Sequence, residues 1–460
     1  MIIRSVKQVI QMLNAEYINE TGLDATIKGV CIDSRAVEAG NLYVPIIGAN
    51  NNGHSYIDQA IKAGAVATLW KKGEPNAPKE IPVILVDDTI AALQKLAVSY
   101  RNQLNLKIVG ITGSNGKTST KDILASVLSK HYKTQKTAGN RNSEIGVPLT
   151  LLDFDDDIEM GVVEMGMENL GELSALTAMV RPDIAVITGV GTAHLENLKT
   201  MENIAKAKLE IVEGLPKNGT FIYLGDQDLL NDAYHAKNLD ESIRVLTYGF
   251  DDHNDYVVSD IHQFVDGLDF KINENNTYHL DMLGKHQALN ATAAYIAAEC
   301  LAVSEEEVAE GFSNIAKTGM RNELVKFNEA LILNDAYKSN PQSALAALDT
   351  MEEFDYDYKI AILGDMLELG ETSAQIHYDL GKDLTKYHLN EVLTIGEMAE
   401  HINKGATDHL KNVKIMHFEN RDALSEYLKP YGAKHCMILV KGSRGMHLDL
   451  VVDALTKEGK

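Results

Sequence analysis

The stretch Leu106–Lys121, LKIVGITGSNGKTSTK, joins an apolar run to three evenly spaced glycines and then to Lys117, Thr118 and Ser119. Ile108, Val109 and Ile111 are β-branched and read as a buried strand, whereas Ile123, Leu124, Val127 and Leu128 recur at helical spacing. Gly113, Ser114, Asn115 and Gly116 therefore form a strand-to-helix turn. Residues without a Cβ let backbone N–H groups close around phosphate oxygens, and the helix N-terminus adds its partial positive charge. Lys117 is placed to reach the β- and γ-phosphates of a nucleoside triphosphate, and the Thr118 hydroxyl to bind Mg²⁺. The pattern is GxxGxxGKT, with Ile111 where the strict Walker A motif has its first glycine.

Other chemistry follows later in the chain. Glu164 ends the apolar run IEMGVVEMG, and the carboxyl end of a strand beside a P-loop strand is where a Mg²⁺-binding carboxylate belongs. His194 follows DIAVITGV in the run GVGTAHLEN, again just beyond a strand. Lys206, Lys208 and Glu210 fall on a helical pattern at 200–215 whose apolar face is Ile204, Ile211 and Leu215. A solvated charged face accounts for Lys206.

These residues need a scaffold, and the rest of the chain supplies one. At 460 residues the chain suggests about three domains. Residues 1–104 show a short α/β pattern ending in the strand 81–88 and a helix through Ala91 to Tyr100. In 105–317, strands near 106–112, 158–164, 184–190 and 219–224 alternate with helical patterns, the mark of a largely parallel sheet, and 242–284 reads as strands and turns. A helix near 286–301 precedes Ser304–Glu307, a capping box. After a break at 318–328, strands near 330–335, 358–364, 391–396 and 436–442 alternate with helices from Pro341, Ser373 and Met446, a Rossmann-like domain over 318–460.

Composition excludes other classes. There are 66 acidic and 43 basic side chains, a net charge of −23, with no long Lys/Arg run. Neither nucleic acid nor an anionic membrane is an expected partner, because such binding rests on clustered cations. Cys31, Cys300 and Cys436 are odd in number and far apart, which fits a reducing compartment. No signal peptide or apolar span is seen, so a cytoplasmic protein without membrane insertion is expected.

GITGSNGKTSTK, VVEMG, GVGTAHLEN and AKAKLEI, in this order, closely resemble the Mur ligases of peptidoglycan synthesis. DSR at 33–35, GNRNSEIGVPLTLL at 139–152, NDAYKSNPQSALAAL at 334–348 and LGDMLELG at 363–370 narrow the likeness to the member that joins D-alanyl-D-alanine to a UDP-N-acetylmuramoyl-tripeptide ending in L-lysine or diaminopimelate. The resemblance implies that Thr118 and Glu164 hold one Mg²⁺, that His194 holds a second, and that Lys208 is carbamylated by CO₂. A carbamate turns a cation into an anion able to support a metal. The resemblance also implies ATP contacts at Gly113 to Ser119, Asn290, Arg321 and Asp335. Ser34 and Arg35 are implied for the uridine diphosphate, and Asn140, Asn142, Tyr337, Asn340 and Asp365 for the remaining substrate. A monomer is expected. The chain departs from the usual pattern at Asn52 in Asn52-Gly53-His54, at Lys338, and at Gly225 before Asp226.

The implied reaction is an ATP-dependent amide synthesis through an acyl phosphate, with Lys117, His194 and Lys208 as its catalytic groups. Other readings are a Mur ligase that adds a single amino acid, whose usual DNPR motif is absent here; a folylpolyglutamate synthetase-like ligase; and a P-loop switch without ligase chemistry.

Overall fold

The structure is a computed structural model that describes residues 1–274, 276–316 and 319–457. Three α/β domains follow one another, each around its own sheet. In the first, five strands lie in the order Glu16–Ile18, Val83–Val86, Ala67–Lys71, Leu42–Tyr43 and Val30–Cys31, all parallel except the first pair. A separate pair, Ile3–Ser5 with Thr26–Lys28, is antiparallel.

The central sheet has nine strands. Its parallel part runs Tyr256–Gln263, Arg244–Gly249, Thr220–Leu224, Ile184–Ile187, Lys107–Thr112, Met160–Glu164 and Thr134–Lys136. Two antiparallel strands, Leu268–Ile272 and Thr277–Leu280, extend the far edge. Val109, Ile111, Val162 and Val186 are buried on one face of this sheet with Ile123, Leu124 and Val127 of helix Lys117–Leu128. That packing explains why an almost wholly apolar β-branched run forms a central strand covered on both faces. Register then fixes the site: Glu164 pairs with Ile111 and Ile187 with Thr112, so the carboxyl ends of three neighbouring strands open at one edge.

The C-terminal sheet runs Glu323–Phe327, Ala330–Asp335, Met437–Lys441, Lys359–Gly364, Glu391–Ile395 and Lys414–Phe418, parallel beyond the first pair. The sequence break at 318–328 thus contains a strand, Glu323–Phe327, hairpinned onto its successor. The expected boundary between residues 317 and 318 lies outside the described residues. The single helical pattern at 200–215 is a helix Met201–Lys208 followed by a tighter 3₁₀ segment Leu209–Gly214, with Leu215 already extended. The capping box at Ser304 forms as expected, its side chain and that of Glu307 exchanging bonds with each other's backbone. Among the described residues no helix is long and apolar enough to cross a membrane.

Candidate active site

The turn after strand Lys107–Thr112 adopts backbone that side chains disfavour: Gly113 has φ +152° and Gly116 φ +82°. Space is as restrictive as conformation. A Cβ on Gly113 would stand 1.9 Å from Thr188 Oγ1, and one on Gly116 would stand 2.3 Å from Asn290 Oδ1. The loop is braced by the next strand end, since Ser114 N–H donates to Gly189 O (2.9 Å) and Gly191 N–H donates to Ser114 Oγ (2.8 Å). Asn290 sits behind it on helix His286–Cys300, its Nδ2 donating to Gln287 Oε1. Lys117 Nζ folds back to donate to Gly113 O at 2.6 Å. Burial, with the Lys338 and Arg321 charges adding to it, pushes the Lys117 ammonium down to about 8, against the opposing pull of Glu164. A cation held this way gains most from an incoming anion.

Beside the loop, Thr118 Oγ1 donates to Glu164 Oε2 at 2.8 Å and Asn142 Nδ2 donates to Glu164 Oε1 at 2.8 Å. Lys121 Nζ stands 3.8 Å from the same carboxylate. His194 lies just past strand Ile184–Ile187, its Nδ1 3.0 Å from Glu368 Oε2. Burial lowers the imidazole below its ordinary value despite Glu368, while the bond from His194 holds Glu368 down at about 2. The two shifts are compatible if the imidazole is neutral, with Nδ1–H donating to an ionised carboxylate and Nε2 keeping its lone pair. Lys208 is 2% exposed, and among the described residues no hydrogen-bond or ion-pair partner meets its amine. Burial first, then the charges of Lys117 and Lys338, keeps it well below an ordinary lysine. Lys206, two residues earlier, is exposed.

The C-terminal domain closes the other side. Arg321 lies 4.3 Å over the Tyr337 ring, and its buried Nη1 has no hydrogen-bond partner. Asp335, at a strand end, pairs with Lys441 Nζ at 2.8 Å, and Lys441 is only 1% exposed. Asn340 caps helix Pro341–Glu352 and also spans the domains: its Nδ2 donates to Asn115 Oδ1 (2.8 Å), and Asn115 Nδ2 donates back to Asn340 Oδ1 (3.4 Å). Most of these groups line a cavity of about 950 Å³ that reaches from Gln94 of the first domain past Ser114–Ser119, Asn140, Asn142 and Glu164 to Arg321, Asp335 and Lys441.

The donor set suits Mg²⁺. A hydroxyl and a carboxylate oxygen already meet at Thr118 and Glu164, and the His194 imidazole, whose Nδ1 faces Glu368, has its other nitrogen to offer.

Not every residue singled out in the sequence lies here. Ser34 donates to Gln59 Oε1 and Arg35 is exposed, bonded to its neighbour Asp33; both are in the first domain and outside the cavity lining. Asp365 also lies outside it, accepting the N–H of Ala399 at 2.7 Å and so holding the start of helix Ala399–His409. Gly113, Asn340 and Lys208 contact or charge the site without lining it. Asn52 has a local duty, capping a short turn through the His54 N–H. Gly225 is crowded, since a Cβ there would lie 2.1 Å from Asn254 Oδ1. Conversely, Glu368, Lys338, His286 and Lys441 line the cavity although the sequence reading gave them no role. The signal for Glu368 was present in LGDMLELG, whose second acidic residue, not its first, faces the cavity. For Lys441 it was a lysine ending the apolar strand Met437–Lys441.

Comparison with known proteins gives a consistent answer. Family models match three successive segments: "Mur ligase family, catalytic domain" over residues 26–101, "Mur ligase middle domain" over 111–298, and "Mur ligase, glutamate ligase domain" over 320–444. The chain is 40% identical over 458 residues, 99% of each chain, to the UDP-N-acetylmuramoyl-tripeptide--D-alanyl-D-alanine ligase of Bacillus subtilis (strain 168). Its structure is similar to crystal structure I of MurF from Acinetobacter baumannii, with TM-score 0.89 and 28% identity over 99% of both chains. It is also similar to MurF ligase from Thermotoga maritima in complex with ADP, with TM-score 0.80 and 27% identity over 94% of this chain and 97% of that one.

Proposed function

The chain belongs to the Mur ligase family, and from that premise we propose that it uses ATP to join D-alanyl-D-alanine to a UDP-N-acetylmuramoyl-tripeptide, releasing ADP and phosphate. One observation carries this reading above a nucleotide switch: a single cavity is lined by all three domains, from Gln94 through the P-loop to Arg321. A switch needs only the middle of that arrangement. A ligase must bring a nucleotide, an acid and an amine together.

A carboxylate is a poor acyl donor, because attack on it expels no leaving group. In the proposed reaction the terminal carboxylate of the tripeptide attacks the γ-phosphorus, its oxygen forms the new P–O bond, and ADP leaves. The amine of D-Ala-D-Ala then attacks the acyl carbon, a tetrahedral intermediate forms, and its collapse expels phosphate as the amine proton is lost. The phosphates lie against the N–H groups of Asn115–Ser119, and Lys117 exchanges its bond to Gly113 O for one to phosphate. The unpaired Nη1 of Arg321 supplies a further donor, and the Asp335 carboxylate accepts from the nucleotide ribose. Positioning and charge cancellation of this kind provide most of the acceleration in phosphoryl transfer. Thr118 and Glu164 hold one Mg²⁺ and His194 a second, and these ions, when bound, offset the negative charge between carboxylate and phosphate. Asn140, Asn142 and Tyr337 face the tripeptide, Asn340 supports them by holding Asn115, and Ser34 and Arg35 serve the uridine diphosphate.

Lys208 has the chemistry to become a carbamate. Burial and the Lys117 and Lys338 charges hold its ammonium well below the ordinary lysine value, which favours the neutral form, and a neutral amine adds through its nitrogen to the carbon of CO₂ and loses one proton. The product is an anion beside a metal site.

The test is product formation. Incubation with ATP and UDP-N-acetylmuramoyl-tripeptide should release ADP and form an amide only when D-Ala-D-Ala is added. Equal turnover with a single amino acid, or ADP release without any acceptor, overturns the assignment.

A further inference from the structure

Two residues with full side chains carry left-handed backbone where the central and C-terminal domains meet: His194 at φ +64° and Glu368 at φ +67°. Such conformations persist in residues of this type when the surroundings over-determine them. Here the two residues hold each other. His194 Nδ1 lies 3.0 Å from Glu368 Oε2, and the Glu196 N–H donates to Glu368 O at 3.4 Å. Behind them Gly370, at φ +60°, backs onto Glu196, leaving its Cβ position 3.3 Å from the Glu196 Cα. Lys338 Nζ reaches to 3.8 Å of the same Glu368 oxygen, so the carboxylate is fixed from a second direction.

We infer that Glu368 is a positioning residue: by accepting the Nδ1 proton of His194 it sets that ring and its tautomer, and it does so from the C-terminal domain, so the imidazole is set for metal only when that domain is seated. This rests on the reading of His194 as a Mg²⁺ ligand. Carboxylate–histidine pairs orient metal ligands in just this manner, because a ring that donates through one nitrogen keeps its lone pair on the other. What is particular here is the origin of the two partners. The ligand follows a strand of the central sheet, while its orienting carboxylate follows strand Lys359–Gly364 of the C-terminal sheet. The metal end of the cavity is thereby coupled to the seating of the C-terminal domain through the contact of Glu368 with His194.

Mn²⁺ titrated into the full chain with ADP present, with bound ions counted by electron paramagnetic resonance, separates the possibilities. Glu368 is half-exposed, so its substitution spares the core. Glu368→Ala should weaken the His194-dependent ion roughly 10- to 100-fold, whereas Glu368→Gln, whose amide oxygen still accepts the Nδ1 proton, should retain most of the affinity. His194→Ala serves as the reference for loss of that ion. If Glu368→Ala overlays the parent while His194→Ala loses the ion, the positioning role is overturned and the metal reading stands. If Glu368→Gln is as weak as Glu368→Ala, the carboxylate acts as a direct ligand and the positioning role is again overturned. If His194→Ala itself overlays the parent, the metal reading fails, and the inference fails with it.

Discussion

The central and C-terminal domains both offer the carboxyl ends of parallel strands to the same cavity, yet they furnish it differently. The central domain supplies backbone: a loop with two glycines that no side chain can replace, braced by hydrogen bonds to the next strand, with Glu164 and Thr118 locked together at 2.8 Å. The C-terminal domain supplies side chains: Arg321 over Tyr337, Asp335 paired with Lys441, and Glu368 between His194 and Lys338. The first arrangement is built before any ligand arrives. The second reaches the central domain through the contact of Glu368 with His194, so its place beside the phosphate-binding loop depends on the two domains being seated against each other. Chemistry should therefore be lost by changes in the central set, and affinity by changes in the C-terminal set.

Lys117→Ala should lower turnover on the order of 10²-fold or more with an unchanged unfolding temperature, since it deletes the cation facing the transferred phosphoryl group. Near-normal turnover would break the contrast at its strongest point. Lys208→Ala should be similarly severe, yet partly restored by acetate or formate, small anions that replace a lost carbamate. CO₂-depleted buffer should weaken the parent enzyme but not this variant, and full activity of the variant would remove the carbamate from the mechanism. Glu164→Gln and His194→Ala should each reduce activity and shift its Mg²⁺ dependence, with partial rescue at high Mg²⁺; titrations that overlay the parent's would contradict the metal assignment.

Arg321→Ala sharpens the comparison from the other side. Removing charge-assisted bonds worth about 1.5–3 kcal/mol should raise the KM for ATP by one to two orders of magnitude while kcat changes less. A fall in kcat as deep as that of Lys117→Ala would erase the distinction between the two domains. Lys206→Ala sets the floor: this exposed side chain should cost no more than about 0.5 kcal/mol of stability and no activity, as measured by denaturant unfolding and steady-state assay.

The sequence was most legible where chemistry coincides with a strong local pattern. The P-loop declared itself because a β-branched strand, spaced glycines and a helical period follow one another without a break between Leu106 and Leu128, and Ser304 because its capping partner stands three positions on. The segment 318–328 was obscure, since Glu323–Phe327 is an antiparallel strand whose partner relation is tertiary. Lys208 could not be told from Lys206 by spacing alone, because both fall on one short helix and only packing buries the second. Glu368 and Asp365 lie three residues apart in one loop, and no periodicity says which carboxylate turns toward the cavity and which caps a helix. Lys441 shows the same limit, for an apolar strand with a terminal lysine is common, and its pairing with Asp335 spans 106 residues.

The amide pair between Asn115 and Asn340 carries a consequence of its own. It is neutral, and its donors and acceptors are complementary, so dissolved ions have little hold on it. At the other end, the Glu368 carboxylate that meets His194 across the seam is steadied by Lys338 of its own domain, and mobile ions screen that partly exposed ion pair as their concentration rises. The seam between the two domains therefore has one end indifferent to ionic strength and one responsive to it. Concentrated salt should loosen the Glu368 end first, leaving the C-terminal domain hinged at the phosphate-binding loop.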